Sequence, residues 1–188
     1  MNLGIFVSGK GSNMLNIVNA CREKKINCCV KIIVSNKECE GIQKARKLGL
    51  KTLIHKSKDH KRNYEGEILK QLNESNVDLV CLAGYMRILS KFFIKNWKKN
   101  IVNIHPSLLP AFKGINAQQQ AINYGVKYSG CTIHYVNEKI DGGEIIDQSC
   151  VKIIKKDNVK SLSKKILIEE HKLYIKVLKL LSERFKNG

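Results

Sequence analysis

Short apolar runs alternate with amphipathic stretches along most of this chain, and that alternation admits few folds. Residues 3–7, 28–34, 51–54 and 77–82 read as strands. Between them lie an amphipathic run carrying Met14, Leu15, Ile17, Val18 and Cys21, and helices over 41–48 and 64–73. Nearly continuous apolar strands separated by helices specify an α/β fold: a mostly parallel twisted sheet with helices on both faces and a Rossmann-like N-terminal half. Ile101-Val102 opens a further strand, a helix is expected around 116–124, strands over 131–136 and from Ile145 through Val151, and a last helix over 159–184 behind a cap at Asp157 or Asn158. With 43% hydrophobic residues, a chain of 188 residues buries a sizeable core and is read as a single domain, 1–188.

The chain's two prolines fall in one octapeptide, Asn103-Ile104-His105-Pro106-Ser107-Leu108-Leu109-Pro110. Alternate residues of a strand share a face, so Asn103 and His105 point the same way, and the residue before a proline is held extended. An amide and an imidazole thus stand side by side at the carboxyl end of a strand, where open α/β sheets place their ligands.

Three other stretches carry chemistry. Ser8-Gly9-Lys10-Gly11-Ser12-Asn13 follows the first strand and opens a helix, the shape of an anion cradle. It lacks the third glycine of the dinucleotide fingerprint and the spacing of a nucleotide P-loop, so on these residues alone a ligand-free tight turn is an equal reading. Asp141 precedes Gly142 and Gly143, which can fix its pose or simply make a solvent turn. In the last helix a buried stripe runs Leu162, Ile166, Leu173, Val177, Leu181 and includes Glu170, a carboxylate that needs a partner or a function. Glu169 and His171 lie off that stripe and read as surface. The loop Ala83-Gly84-Tyr85-Met86-Arg87-Ile88-Leu89 is unusually apolar; from its residues alone, Met86, Ile88 and Leu89 read as core side chains at a helix start.

The net charge of +18 admits two readings, an anionic partner or a lysine-rich composition at solvated positions. The lysines are dispersed and no basic block is interleaved with aromatics, so no specific nucleic-acid site is expected. Seven scattered cysteines show no paired zinc spacing and fit reduced thiols. Neither a membrane span nor a signal peptide is evident, and a cytoplasmic protein, monomeric or weakly dimeric, is expected.

Over essentially its full length the chain resembles the glycinamide ribonucleotide formyltransferases, folate-dependent enzymes of purine synthesis. The resemblance rests on Gly9-x-Gly11-Ser12-Asn13, on Leu82-Ala83-Gly84-Tyr85-Met86-Arg87-Ile88-Leu89, on the proline octapeptide, on Asp141-Gly142-Gly143 and on Glu170-His171, in that order. It implies transfer of a formyl group from 10-formyltetrahydrofolate to the amine of glycinamide ribonucleotide (GAR), without a metal. It implies a phosphate-binding half over about 1–100 and a folate and catalytic half over about 101–188. Asn103, His105 and Asp141 would be catalytic. Gly11, Ser12, Asn13, Pro106 and Glu170 would bind GAR. The folate would lie against Met86, Arg87, Ile88 and Leu89, against Asn103, and against Val136, Asn137, Glu138, Lys139, Ile140 and Asp141, with Arg62 as the anion contact and Lys61 as the alternative. Lys113 stands where a proline is common, Gln118 where a histidine is frequent, and Leu167 where some members carry a polar ribose contact. Methionyl-tRNA formyltransferase and formyltetrahydrofolate hydrolase use a similar Asn/His/Asp set and are the alternative enzymes; a noncatalytic binding module would not need that set.

Overall fold

The computed structural model describes residues 1–55 and 61–186, with the side chains of 61–63 outside the description. The elements run β1 (Asn2–Val7), α1 (Ser12–Arg22), β2 (Cys29–Ser35), α2 (Glu40–Lys47), β3 (Thr52–Ile54), α3 (Lys61–Glu74), β4 (Leu79–Leu82), α4 (Lys91–Asn96), β5 (Ile101–His105), α5 (Ala117–Tyr124), β6 (Tyr128–Tyr135), β7 (Ile145–Lys152) and α6 (Val159–Lys186). The strands form one seven-stranded sheet in the order β3-β2-β1-β4-β5-β6-β7. β1 to β5 are mutually parallel, as the strand-helix alternation predicts. β6 and β7 add on antiparallel.

Alternation along the strands divides the core between the two faces. Leu3, Ile5 and Val7 of β1 pack with Met14, Ile17 and Val18 of α1, Ile42 of α2 and the apolar stripe of α6. Phe6 points the other way, into a cluster with Ile68 and Leu72 of α3 and Phe93 of α4. The α6 stripe buries Leu162, Ile166, Leu173, Val177 and Leu181 as expected, with Tyr174 and Leu178 besides.

α4 is absent from the sequence expectations. It is only six residues long, Ser90 caps it by accepting from the Phe93 amide at 3.1 Å, and its apolar residues make no extended periodicity. β6 starts at Tyr128, earlier than expected, because it pairs with β7 as far as Lys152. Met86 and Ile88 are exposed and only Leu89 is buried, which corrects the local reading of all three as core. Glu169 and His171 are half-buried, not surface: Glu169 accepts from the Ser149 hydroxyl at 2.7 Å, and the His171 carbonyl accepts from Asn16.

Candidate active site

The chain reverses its winding direction between β1 and β4, and the crevice at the carboxyl ends of such strands is where doubly wound sheets bind ligands. The turn after β1 and the loop after β4 both open there and are tied together. Ser8 N donates to Gly84 O at 3.1 Å, Ser8 Oγ donates to Asn36 Oδ1 at 2.5 Å, and Met86 N donates to Ser8 Oγ at 2.9 Å.

Gly11 stands at the head of α1 with φ +70°, and a Cβ there would come within 2.8 Å of the Gly41 Cα. Glycine is therefore required by the backbone angle and by the approach of α2. Gly11 gives α1 no capping side chain and the first turn carries no acid, so the first amides are available to an anion.

β5 supplies the centre. Val102 and Ile104 pack into the first core cluster and Ile101 into the second. Asn103 and His105 share the parity of Ile101 and open into a cavity of about 680 Å³. Asn103 lies between Leu82 of β4 and His134 of β6, and His105 is opposite Thr132. Asn103 Nδ2 is 3.2 Å from His134 Nε2. The amide can only donate, so Nε2 accepts and His134 carries its proton on Nδ1, which donates to Tyr135 O at 2.8 Å. Burial holds the His134 pKa below its ordinary value, outweighing the Tyr135 carbonyl and Asp141. A neutral His134 makes its 3.7 Å approach to Asp141 Oδ1 no ion pair, so its contribution is to orient the Asn103 amide.

His105 faces two acceptors. Nε2 donates to Phe112 O at 2.9 Å, and Nδ1 lies 3.4 Å from Asp141 Oδ2. Asp141 itself sits at φ +45°, is largely buried, and accepts from Gly114 N at 2.8 Å. The glycines behind it are needed for space: a Cβ on Gly143 would lie 1.8 Å from Tyr135 O. Asp141 is thus held in place, not displayed on a free turn.

Glu170 projects from α6 into the cavity, where it accepts from Asn13 Nδ2 at 2.8 Å. Burial raises its pKa and the Asn13 bond opposes the rise. Among the described residues, the buried Asn13 Oδ1 has no hydrogen-bond partner. Asn13, Pro106, Glu170, Met86, Arg87, Ile88, Leu89, Val136, Asn137, Glu138, Lys139, Ile140, Asn103, His105 and Asp141 all line this cavity, whereas Gly11 and Ser12 are not among the described residues that line it. Gly11 and Ser12 stand just behind Asn13 at the start of α1. Arg62 and Lys61 have side chains outside the described residues.

Sequence reasoning missed His134, Ser8, and the Phe112 carbonyl and Gly114 amide. His134 had a local signal: it alternates with Thr132 in an otherwise apolar strand. The register that puts it opposite Asn103 is not local. The backbone groups had none.

The Formyl transferase family matches residues 1–178. The chain is 35% identical to the phosphoribosylglycinamide formyltransferase of Escherichia coli (strain K12), over 93% of this chain and 84% of that protein. It is 39% identical to the trifunctional purine biosynthetic protein adenosine-3 of Homo sapiens, of which it spans 18% of the length. The crystal structure of phosphoribosylglycinamide formyltransferase from Bacillus halodurans superposes with a TM-score of 0.92 at 38% identity, covering 96% of this chain and 95% of that one. With the family match over residues 1–178 and a superposition that covers 96% of the chain, this chain belongs to the formyl transferase family.

Proposed function

We propose that this protein transfers the formyl group of 10-formyltetrahydrofolate to the amine of glycinamide ribonucleotide, giving formyl-GAR and tetrahydrofolate in de novo purine biosynthesis. The observation that carries the reading is one continuous cavity. It brings together Asn13 from the first turn of α1, the buried Glu170 carboxylate, Asn103, His105 and Asp141, and the loops over 84–89 and 136–140.

The GAR phosphate is assigned to the amides of Gly11, Ser12 and Asn13, where the helix dipole favours an anion. Glu170 and Pro106 border the glycinamide and sugar. The flat folate head lies against Met86, Arg87, Ile88 and Leu89, and across from residues 136–141. As the amine attacks the formyl carbon, a C–N bond forms and negative charge grows on the formyl oxygen. The Asn103 proton not engaged by His134 donates to that oxygen. Collapse breaks the bond to the folate nitrogen, which takes up the proton the amine gives off. His105 is the group that moves this proton, through Nδ1, the ring nitrogen not bonded to Phe112 O, and Asp141 holds the ring in place. The four left-handed residues Phe112, Gly114, Asn116 and Asp141 around the site are backbone held ready before substrate arrives.

The decisive experiment offers the purified protein 10-formyltetrahydrofolate with GAR, water or charged initiator tRNA as acceptor. Formyl-GAR as the dominant product is expected. Formylation of tRNA alone, or hydrolysis alone, refutes the assignment. Binding of tRNA that disappears at modest salt would identify the +18 charge as a nonspecific field.

A further inference from the structure

The segment between Pro110 and α5 contributes no side chain to the triad, yet it touches two of its three members through the backbone. Phe112 O accepts from His105 Nε2 at 2.9 Å, and Gly114 N donates to Asp141 Oδ2 at 2.8 Å. Phe112 has φ +54° and Gly114 φ +80°, so the carbonyl and the amide are aimed by a left-handed backbone that an ordinary loop would relax out of. Something must hold it. On the upstream side Ser107 Oγ donates to Ala111 O at 2.6 Å. On the downstream side an exposed residue of α5, Gln120, donates its Nε2 to Ile115 O at 2.9 Å and reaches Lys113 O at 3.4 Å. Gln120 is not among the residues that line the cavity.

We infer that residues 112–114 are a backbone clamp that sets the His105 and Asp141 pair, and that Gln120 is a positioning residue of the reaction, acting through this clamp without touching substrate. Phe112 O fixes the ring rotation of His105 by accepting a hydrogen bond from its Nε2–H, which leaves Nδ1 towards Asp141. Gly114 N fixes the carboxylate oxygen that faces that nitrogen. Gln120 prevents the segment from unwinding its left-handed turns. The clamp rests on the formyl-transfer reading for its kinetic consequence and is independent of it for its structural one.

Gly114 offers a clean probe. A Cβ added there meets nothing within 4 Å among the described residues, so within the protein Gly114→Ala acts through its backbone angle, and because Gly114 also lines the cavity, KM reports any contact of the new methyl with substrate. Gly125→Ala is the matched control: Gly125 has φ +79°, equally empty surroundings, and a place at the carboxyl end of α5 away from the triad. In the full chain, Gln120→Ala and Gly114→Ala are expected to lower kcat about tenfold with KM for both substrates within about twofold, the pattern of misplaced catalytic groups. Gly125→Ala is expected to lose thermal stability comparably to Gly114→Ala while keeping kcat. Gln120→Glu, which keeps the side-chain shape but has no N–H to donate, should match Gln120→Ala, and it keeps the test available if Gly114→Ala fails to fold.

A second readout needs no activity. Nitrogen NMR of the His105 ring reports which ring nitrogen carries a proton, and that signature should change in Gln120→Ala and Gly114→Ala and not in Gly125→Ala. Unchanged kcat with an unchanged ring signature overturns the clamp, as does a rise in KM alone, which would make the segment a substrate wall. If the wild-type protein does not formylate GAR, the functional reading fails by itself, and the ring signature still decides the clamp.

Discussion

Asn13 and Glu170, 157 residues apart in the chain, are joined by one buried hydrogen bond of 2.8 Å that ties the head of α1 to the middle of α6. Glu170 has its pKa raised by burial, so the folded state holds its proton more tightly than the unfolded chain does. Its contribution to stability is therefore present at acid pH and is lost as pH rises through the folded value. Glu170→Gln should leave stability at neutral pH equal or higher while lowering GAR turnover, and Asn13→Ala should cost about 1–3 kcal/mol by stranding the carboxylate. Denaturant unfolding of the two variants checks this; a strongly destabilised Glu170→Gln would mean the charge is needed by the fold.

Asn103 and the His105/Asp141 pair should fail in different degrees. Asn103→Ala removes one oxyanion donor and is expected to lower kcat by about 10² to 10³, and His105→Ala or Asp141→Asn by about 10² to 10⁴ with the fold intact. Steady-state kinetics beside circular dichroism separates lost chemistry from lost structure. Full activity in Asp141→Asn would remove that residue from the mechanism.

Ser8 links the turn after β1 to the Met86 amide, and replacing it by Ala strands that N–H beside the proposed folate wall. Ser8→Ala should cost about 1–2 kcal/mol of stability and raise KM for 10-formyltetrahydrofolate several-fold while leaving kcat near wild type. An unchanged KM would show that this loop holds its shape without the hydroxyl.

His55 is the acid-sensitive element. It is buried, stacks on Tyr64 at 4.4 Å, and has its Nε2 2.7 Å from the Tyr85 hydroxyl. Burial, and then the Arg87 charge, lower its pKa from 6.5 to about 4. As pH falls through 6.5 the unfolded chain takes up a proton that the folded chain refuses until about 4, so stability declines across that window, by up to about 3 kcal/mol from this group. His134 and His171, also lowered, act in the same direction, and Glu170 opposes them. Urea midpoints between pH 7.5 and 4.5 should fall in the wild type and fall less in His55→Phe; identical slopes would exclude His55 as the cause.

Features governed by local spacing were legible in the sequence. A period of two put Asn103 and His105 on one face of β5, and a helical period put Glu170 on the inward stripe of α6. The parallel half of the sheet followed from strand-helix alternation. What escaped was set by pairing across the sheet or by the main chain. His134 becomes relevant only because β6 runs antiparallel in a register that puts it opposite Asn103. Phe112 and Gly114 act through backbone atoms that every residue possesses. The short α4 relies on a Ser90 cap and on Glu65, which accepts from both the Ser90 amide and its hydroxyl, a bond from α3 that no local pattern announces.

β5 is bonded along both edges, parallel to β4 and antiparallel to β6, while Asp141 rides on a turn that two glycines allow. Backbone amides of 102–104 should therefore be among the slowest in the molecule to exchange with solvent deuterium. The amide and the imidazole are the fixed anvil of the reaction. The Gly114 amide pins the carboxylate to the same block, so it is the substrate that must come to fit the protein.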